Sequence, residues 1–171
     1  FYGKFAPDLI SSSSQQILIY RPLVPIHSLR RLHVIVPPRG EFDPGLKHWC
    51  RRIATLAEQT ACRVSVYGEE RTLRAVEGAW QAERRSLSAD FHKFTPAEGL
   101  AGVAARTRPD HMAVFVLARR GMPSYHRRLE DIPGQLERYF SARSWMLIVP
   151  AALGSSSSSA DGRNALTLSD R

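Results

Sequence analysis

The segment 118–128, with the sequence ARRGMPSYHRR, concentrates the side chains best suited to bind a charged ligand. Between residues 106 and 128 the chain has six arginines and one acidic residue, Asp110. Arginine donates several hydrogen bonds in a fixed planar geometry, which suits phosphate and carboxylate groups. The sequence therefore predicts an anion-binding loop here. The alternative is a basic loop that only faces water or the inner membrane surface.

An earlier loop, Pro37-Pro38-Arg39-Gly40, is placed to form the opposite wall of such a site. It lacks the glycine-rich pattern whose amides cradle a pyrophosphate at a helix N-terminus, and its prolines have no amide hydrogen to donate. These residues argue against a dinucleotide site or a P-loop. The candidate ligand-binding residues are Arg39, Arg119, Arg120, Ser124, Tyr125 and His126.

The remaining reactive side chains form no recognisable catalytic or metal-binding pattern. Six histidines are scattered without the spacing of a metal site, and no serine or cysteine lies in a nucleophile motif. We therefore predict no catalytic residue, no metal and no cofactor, and we expect structural roles for the histidines other than His126. Cys50 and Cys62 are expected to be buried free thiols.

Composition restricts the partners. The chain of 171 residues suits one domain, and no apolar run reaches the length of a membrane-spanning helix. Its net charge of +8 is compatible with nucleic acid, an anionic membrane or an acidic ligand. The doublets Arg51-Arg52 and Arg84-Arg85 are isolated and carry no interleaved aromatic residues, so nucleic acid is not expected.

Strand-like and helix-like segments alternate along the middle of the chain. Right-handed crossovers between such segments predict an α/β fold with a five-stranded parallel sheet in the order 3-2-1-4-5, Rossmann- or flavodoxin-like, with helices on both faces. Ligands of these sheets bind beyond the carboxyl ends of the strands, where the chain reverses direction. The predicted strands are 32–37, 63–67, 85–94, 112–117 and 145–149, and the helices begin near Asp43-Pro44, Glu70, Thr95-Pro96 and Ile132. Asp43 is predicted to be the N-cap of the first helix.

The two ends of the chain differ from its middle. Serine runs at 11–14 and 155–159 favour solvated backbone. We predict a linker from a membrane region at residues 1–30, a domain at 31–150 and a disordered tail at 151–171. Within the linker, Gln15–Tyr20 is β-prone and is expected to add an edge strand or to reach a partner subunit.

Several segments together resemble a known family. The run RLHVIVPPRGE at 31–41, His48-Trp49, the strand end at 66–68 and the run LARRGMPSYH at 117–126 are similar to the C-terminal cytoplasmic domain of bacterial monovalent cation/proton antiporters. That domain is itself similar to universal stress proteins. The resemblance spans about residues 17 to 150 and is strongest in the Arg-Gly-x-x-Ser-Tyr-His stretch.

The resemblance implies a soluble, non-catalytic regulatory or assembly domain of a sodium/proton antiporter. It would act as a homodimer on the cytoplasmic side of the inner membrane, with the membrane transport domain of the same parent chain as partner. Arg30, Arg31 and the loop 119–128 would suit a domain held beside the anionic inner leaflet. The opening segment FYGKFAPD looks like the chain leaving the last membrane helix.

The family's ATP-binding relatives differ at the ligand site. They usually place an aspartate after the first strand, where this chain has Pro37-Pro38, and a glycine-rich phosphate loop after the fourth. Here the glycine that follows Gly121 is Gly134, so no ATP-contact residue carries over. The alternative function is a nucleotide-sensing protein of the universal stress type, which binds an adenine nucleotide or a cyclic dinucleotide.

Overall fold

The computed structural model describes residues 10–83, 88–94 and 99–152. In these residues six strands form one sheet in the order β1-β6-β5-β2-β3-β4. The strands are β1 (Ile17–Arg21), β2 (Arg31–Ile35), β3 (Arg63–Gly68), β4 (Ala89–Lys93), β5 (His111–Val116) and β6 (Ser144–Val149). The α-helices are α1 (Leu46–Thr60), α2 (Glu70–Ala82), α3 (Gly99–Arg106) and α4 (Ile132–Tyr139), and three short 3-10 turns cover Ile26–Ser28, Gly40–Phe42 and Arg127–Asp131.

The α/β class is confirmed, but the sheet is not the five-stranded parallel sheet that the sequence predicts. It has six strands and is mixed, because β1 pairs with β6 in the antiparallel direction. The other five strands are mutually parallel. Among the described residues β1 is the first strand of the sheet, so no crossover from an earlier described strand forces it to run parallel to β6. The expectation of an edge strand near residues 15–20 is confirmed.

Strand β2 lies between β3 and β5, and the chain reverses its direction of travel at this position. From β2 it moves outward through β3 to β4, then returns to the other side of β2 as β5 and continues outward to β6. The loops that follow β2 and β5 therefore leave the same sheet edge in opposite directions. This divergence opens a space between them.

Side chains alternate between the two faces of the sheet and pack into two hydrophobic cores, one on each face. Leu32 and Val34 of β2 point to the face covered by α1 and α2. The opposite face of β5 and β6 carries Phe115 and Leu147, which pack among residues of α3 and α4. Phe115 meets Phe140 edge to face, with ring centroids 5.3 Å apart. Burial on both faces explains why the central strands are almost continuously apolar.

Two predicted element boundaries need correction or lie outside the described residues. Helix α1 begins at Leu46 with Gly45 at its N-cap, and not at Asp43-Pro44. The third predicted strand is shorter than expected and spans Ala89–Lys93. Four predicted segments lie outside the described residues. They are the start of the helix at Thr95-Pro96, the first residues of the third strand (85–87), the N-terminal linker up to residue 9 and the tail from residue 153.

Both cysteines are buried and free, as predicted. Cys50 lies on the inner face of α1, where burial raises the pKa of its thiol to about 12. Cys62 donates its thiol hydrogen to the carbonyl of Leu29. The thiols therefore act as small apolar side chains of the core.

Gly45 allows the start of α1 to pack closely against the end of β6. A Cβ at position 45 would lie 2.7 Å from Cβ of Pro150, whereas a Cβ at Gly78, within α2, meets no atom within 4 Å. We expect Gly45→Ala to lower the free energy of unfolding by about 1–3 kcal/mol through this clash. Gly78→Ala should raise it by about 0.5–1 kcal/mol, because alanine favours the helix. Urea denaturation measures both, and equal stability of the two variants would contradict the close packing at Gly45.

Candidate functional site

A cavity of about 760 Å³ opens at the carboxyl ends of β2 and β5, where the two loops diverge. We call it the crossover cavity. Its floor is apolar and consists of Ile35 and Val36 from the end of β2 and Phe115 and Val116 from the end of β5. Its position is the one that the strand order predicts for a ligand. Its size lies within the range of small-molecule sites, roughly 300–1,000 Å³.

The walls of the crossover cavity add more apolar surface. Phe94 follows β4, Leu100 lies at the start of α3 and Ile132 begins α4. The rings of Phe94 and Phe115 therefore line the same cavity, which Tyr125 also reaches. Such walls bury a flat apolar group well.

The rim of the crossover cavity is basic. Arg39 comes from the loop after β2, and Arg127 and Arg128 come from the 3-10 turn before α4. All three arginines are exposed. Among the described residues, they are accompanied at this cavity by one acidic residue, Glu69. Arginine guanidinium groups around an apolar pocket favour a ligand with an anionic group outside and a ring inside.

Arg39 has an unusual backbone conformation. Its φ is +64° and its ψ is +14°, in the left-handed region that glycine adopts far more readily. The conformation turns the chain directly into the 3-10 turn Gly40–Phe42, where the amide of Phe42 donates to the carbonyl of Arg39. A non-glycine residue held in this region is a common feature of functional sites.

Ser124 joins the two loops that bound the crossover cavity. Its hydroxyl donates to Oδ2 of Asp43, and its backbone amide donates to Oδ1 of the same carboxylate at 3.4 Å. Both side chains are buried. Burial raises the pKa of Asp43, while the two hydrogen bonds from Ser124 act in the opposite direction. Asp43, predicted to cap α1, thus holds the loop after β5 instead.

Arg119 is engaged by the backbone rather than placed at the crossover cavity. Its Nε donates to the carbonyl of Pro150 at 2.7 Å, and its two terminal nitrogens donate to the carbonyls of Ile10 and Gln15. The residue is 9% exposed. It therefore ties the segment before β1 to the end of β6. Charge-assisted hydrogen bonds of this kind stabilise a chain crossing more than neutral ones do.

Arg120 and Tyr125 form a surface cluster with Glu130. Nη2 of Arg120 lies 2.7 Å from Oε1 of Glu130, and the hydroxyl of Tyr125 donates to the same oxygen. The hydrogen bonds from Tyr125 and Arg120 lower the pKa of Glu130. Both donors line a second cavity of about 840 Å³ beside the serine run 11–14, although Tyr125 also reaches the crossover cavity.

Among the six candidate residues, the crossover cavity thus brings together Arg39, Ser124, Tyr125 and His126. His126 is half-buried there, and burial, followed by the charge of Arg128, lowers the pKa of its imidazole. Arg119 and Arg120 line the second cavity. Arg127 and Arg128, which belong to the basic run but not to the six candidates, lie at the crossover cavity, because the chain turns at His126 into the 3-10 turn.

A polar network on the sheet, centred on the buried His33, was not predicted. Nε2 of His33 lies 3.0 Å from Nδ1 of His111, and Nδ1 of His33 lies 3.2 Å from the hydroxyl of Tyr67. Tyr67 also stacks on the imidazole of His92 at a centroid distance of 5.2 Å. These residues come from four neighbouring strands. Only the strand register brings them together, although His33 within an apolar run was a signal that a partner was needed.

Within the described residues, no group of three or more histidine, cysteine or acidic side chains could hold a metal ion. Across the same parts of the chain, no helix combines the length and the apolarity that a membrane crossing requires. No known family model matches the chain, and no curated protein matches it.

The burial of His33 makes the stability of the fold depend on pH. Burial, reinforced by the charges of His111, Arg31, Arg106 and His92, lowers the pKa of His33 from 6.5 to about 4. The unfolded chain therefore takes up this proton at higher pH than the folded chain does. The contribution of His33 to the free energy of unfolding should be fully present above pH 6.5. It should be lost as the pH drops toward 4, by about 3 kcal/mol in total.

Urea denaturation at a series of pH values between 7.5 and 4 measures this loss. His33→Asn should lose the part of the slope that His33 contributes, even though its stability at pH 7.5 also falls. His111 and His126, whose pKa values burial also lowers, should keep their own contributions. His27→Asn, at an exposed histidine, serves as the control and should keep the wild-type slope. An unchanged slope in His33→Asn would contradict the assignment.

Proposed function

We propose that this chain is a non-catalytic regulatory domain of a sodium/proton antiporter and that a ligand in the crossover cavity controls it. One observation carries the proposal. The stretch with the strongest family resemblance ends at residues 123–126, and these residues form a wall of the crossover cavity. The part of the chain that supports the family relationship is therefore also the part that supports ligand binding.

The chemistry of the crossover cavity favours a nucleotide as the ligand. Its floor and walls offer aromatic and aliphatic surface to a base, and Arg39, Arg127 and Arg128 offer donors to phosphate oxygens. An adenine nucleotide and a cyclic dinucleotide both combine these two groups. Universal-stress-type nucleotide sensing is thus the second candidate, and it shares this cavity with the first.

Binding without hydrolysis agrees best with the residues around the cavity. The hydroxyl of Ser124 is committed to Asp43 and is 2% exposed, so a substrate has no access to it. Pro38 has no amide hydrogen for a phosphate, and the amide of Val36 already donates to the carbonyl of Tyr67. We therefore propose a sensor that recognises phosphate through arginine side chains.

The resemblance also supports the remaining parts of the proposal. They are a membrane transport domain in the same parent chain, a position on the cytoplasmic side of the inner membrane and assembly as a homodimer. The universal-stress-like type of the α/β sheet belongs to the same proposal, and the position of β2 between β3 and β5 agrees with it. Ligand binding would then change how the domain contacts the transport domain or its second copy.

Isothermal titration calorimetry with ATP, AMP, cyclic di-AMP and inorganic phosphate tests ligand binding by the purified chain. We expect at least one nucleotide to bind. Arg39→Gly and Arg128→Ala should each weaken that binding about tenfold or more, because a hydrogen bond to a charged group contributes about 1.5–3 kcal/mol. Glycine adopts the backbone conformation of residue 39 without strain, so Arg39→Gly should keep its fold.

Arg52→Ala, on the exposed face of α1, removes the same charge away from the cavity and is the matched control. It should bind the nucleotide as the wild type does. If no nucleotide binds at millimolar concentration, or if Arg52→Ala weakens binding as much as Arg39→Gly, the proposed ligand site is wrong.

Cation/proton exchange by the parent transporter in inverted membrane vesicles tests the regulatory role. Arg39→Gly should shift the cation or pH dependence of exchange while exchange itself persists. Arg52→Ala should leave that dependence unchanged. A wild-type response in Arg39→Gly would contradict ligand control, even if calorimetry shows that the isolated chain binds a nucleotide.

A further inference from the structure

The amino ends of the parallel strands form a second basic surface, at the sheet edge opposite the crossover cavity. Arg31 at the start of β2 is in register with Arg63 of β3 and with His111 of β5. Arg21, the last residue of the antiparallel strand β1, lies opposite Trp145 near the start of β6. The arginines brought to this edge are Arg21, Arg30, Arg31, Arg63, Arg108 and Arg143.

Backbone hydrogen bonds fix the loops that carry these arginines. The amide of Arg30 donates to the carbonyl of Asp110 at 2.8 Å, and the amide of Arg63 donates to the carbonyl of Arg30 at 3.0 Å. The backbone at Arg30 and Arg63 is therefore held in place, and both exposed side chains start from the same end of the sheet.

Two of the six arginines have partners within the protein. Arg31 donates to Ser65 at 2.6 Å and lies 3.7 Å from Asp90, and Arg143 donates to the carbonyls of Thr107 and Tyr139. The other four are exposed. We define them as the amino edge: Arg21, Arg30, Arg63 and Arg108.

Acidic side chains only partly balance the positive charge at this end of the sheet. Asp90 is close to Arg31, and Asp110 lies 3.7 Å from Nε2 of His111. Glu58 lies in the last turns of α1, which ends near the same edge. Glu83, at the C-cap of α2, lies toward the same end of the sheet but pairs with Arg51 of α1. The exposed surface formed by the six arginines therefore remains positive.

Exposed apolar side chains adjoin the amino edge. Tyr20 is 52% exposed and precedes Arg21 directly, and Leu23 is 45% exposed. The amide of Leu23 donates to Oγ of Ser144 at 2.9 Å, which holds the residue at the start of β6. A tyrosine and a leucine beside arginines are the side chains that enter the interface of a lipid bilayer.

We infer that the amino edge binds an anionic membrane surface, with Tyr20 and Leu23 entering the headgroup region. The favoured occupant is lipid and not nucleic acid, because the aliphatic side chain of Leu23 suits acyl chains, whereas a single strand of nucleic acid is bound by a series of aromatic side chains and Tyr20 is the one exposed large aromatic residue among the described residues of this edge. The ligand cavity would then face away from the membrane. The two sites lie about one strand length apart, roughly 15–20 Å.

Two basic segments that were expected to contact the same membrane surface lie apart in the structure. Arg119 to Arg128 and the pair Arg30-Arg31 were both expected to face an anionic leaflet. They lie at opposite edges of the sheet, because residues 119–128 follow β5 whereas Arg30 precedes β2. One flat surface cannot contact both edges. The inference does not depend on ligand binding, since it uses none of the residues that line the crossover cavity.

Co-sedimentation of the full chain with vesicles tests the inference. One set of vesicles is phosphatidylcholine alone, and the other contains about one-third phosphatidylglycerol. The wild type should bind the anionic vesicles at about 0.1 M salt and should dissociate as the salt concentration rises. The double variant R30E/R63E should bind them at least about tenfold more weakly, and Leu23→Ser should weaken binding by a smaller factor.

The double variant K47E/R52E, on exposed positions of α1, changes the net charge by the same amount and should bind almost as the wild type does. Equal losses in the two double variants would overturn the inference, because net charge alone would then explain binding. Failure of the wild type to bind vesicles, together with R30E/R63E-sensitive binding of a single-stranded RNA oligomer, would overturn it in favour of nucleic acid. Circular dichroism verifies that each variant is folded.

Discussion

The parallel pairing of β2 with both β3 and β5 is the constraint on which the rest of the structure depends. It forces the chain to leave β2 on one side and to return on the other, so that the two following loops diverge. Their divergence creates the crossover cavity, and the hydrogen bonds between Ser124 and Asp43 prevent the loops from separating further. The position of the cavity is therefore set by the strand order, and the side chains only determine its lining.

The arginines of this protein show how position decides what one residue type does. Arg119 is buried against three carbonyl groups and stabilises a chain crossing. Arg120, the next residue in the chain, pairs with Glu130 at the surface. Arg39 stands in a left-handed conformation at the rim of a cavity. The arginines behind the net charge of +8 thus serve in structural contacts, at the rim of the crossover cavity and at a basic edge of the sheet.

The strands and helices with strong patterns were predictable. The runs that became β2, β3, β5 and β6 are apolar and bounded by proline, glycine or charged residues, and the apolar stripe of α1 has helical spacing. The direction of β1 was not predictable, since a strand at the edge of a sheet pairs in either direction with similar local chemistry. The prediction that Asp43 caps α1 was wrong, because its carboxylate accepts hydrogen bonds from Ser124, 81 positions later in the chain.

Sequence patterns alone were enough to predict the class of the fold, the sheet edge at which a cavity lies and the basic character of the loop after β5. These follow from local periodicity and composition. Other features are visible only in the three-dimensional structure. They are which arginines lie at the crossover cavity, which donate to backbone carbonyls, and the contacts of His33 with Tyr67 and His111. The physical reason is that such contacts depend on strand register and on the direction in which a loop turns. Strand register and loop direction both depend on contacts between residues that are far apart in the chain.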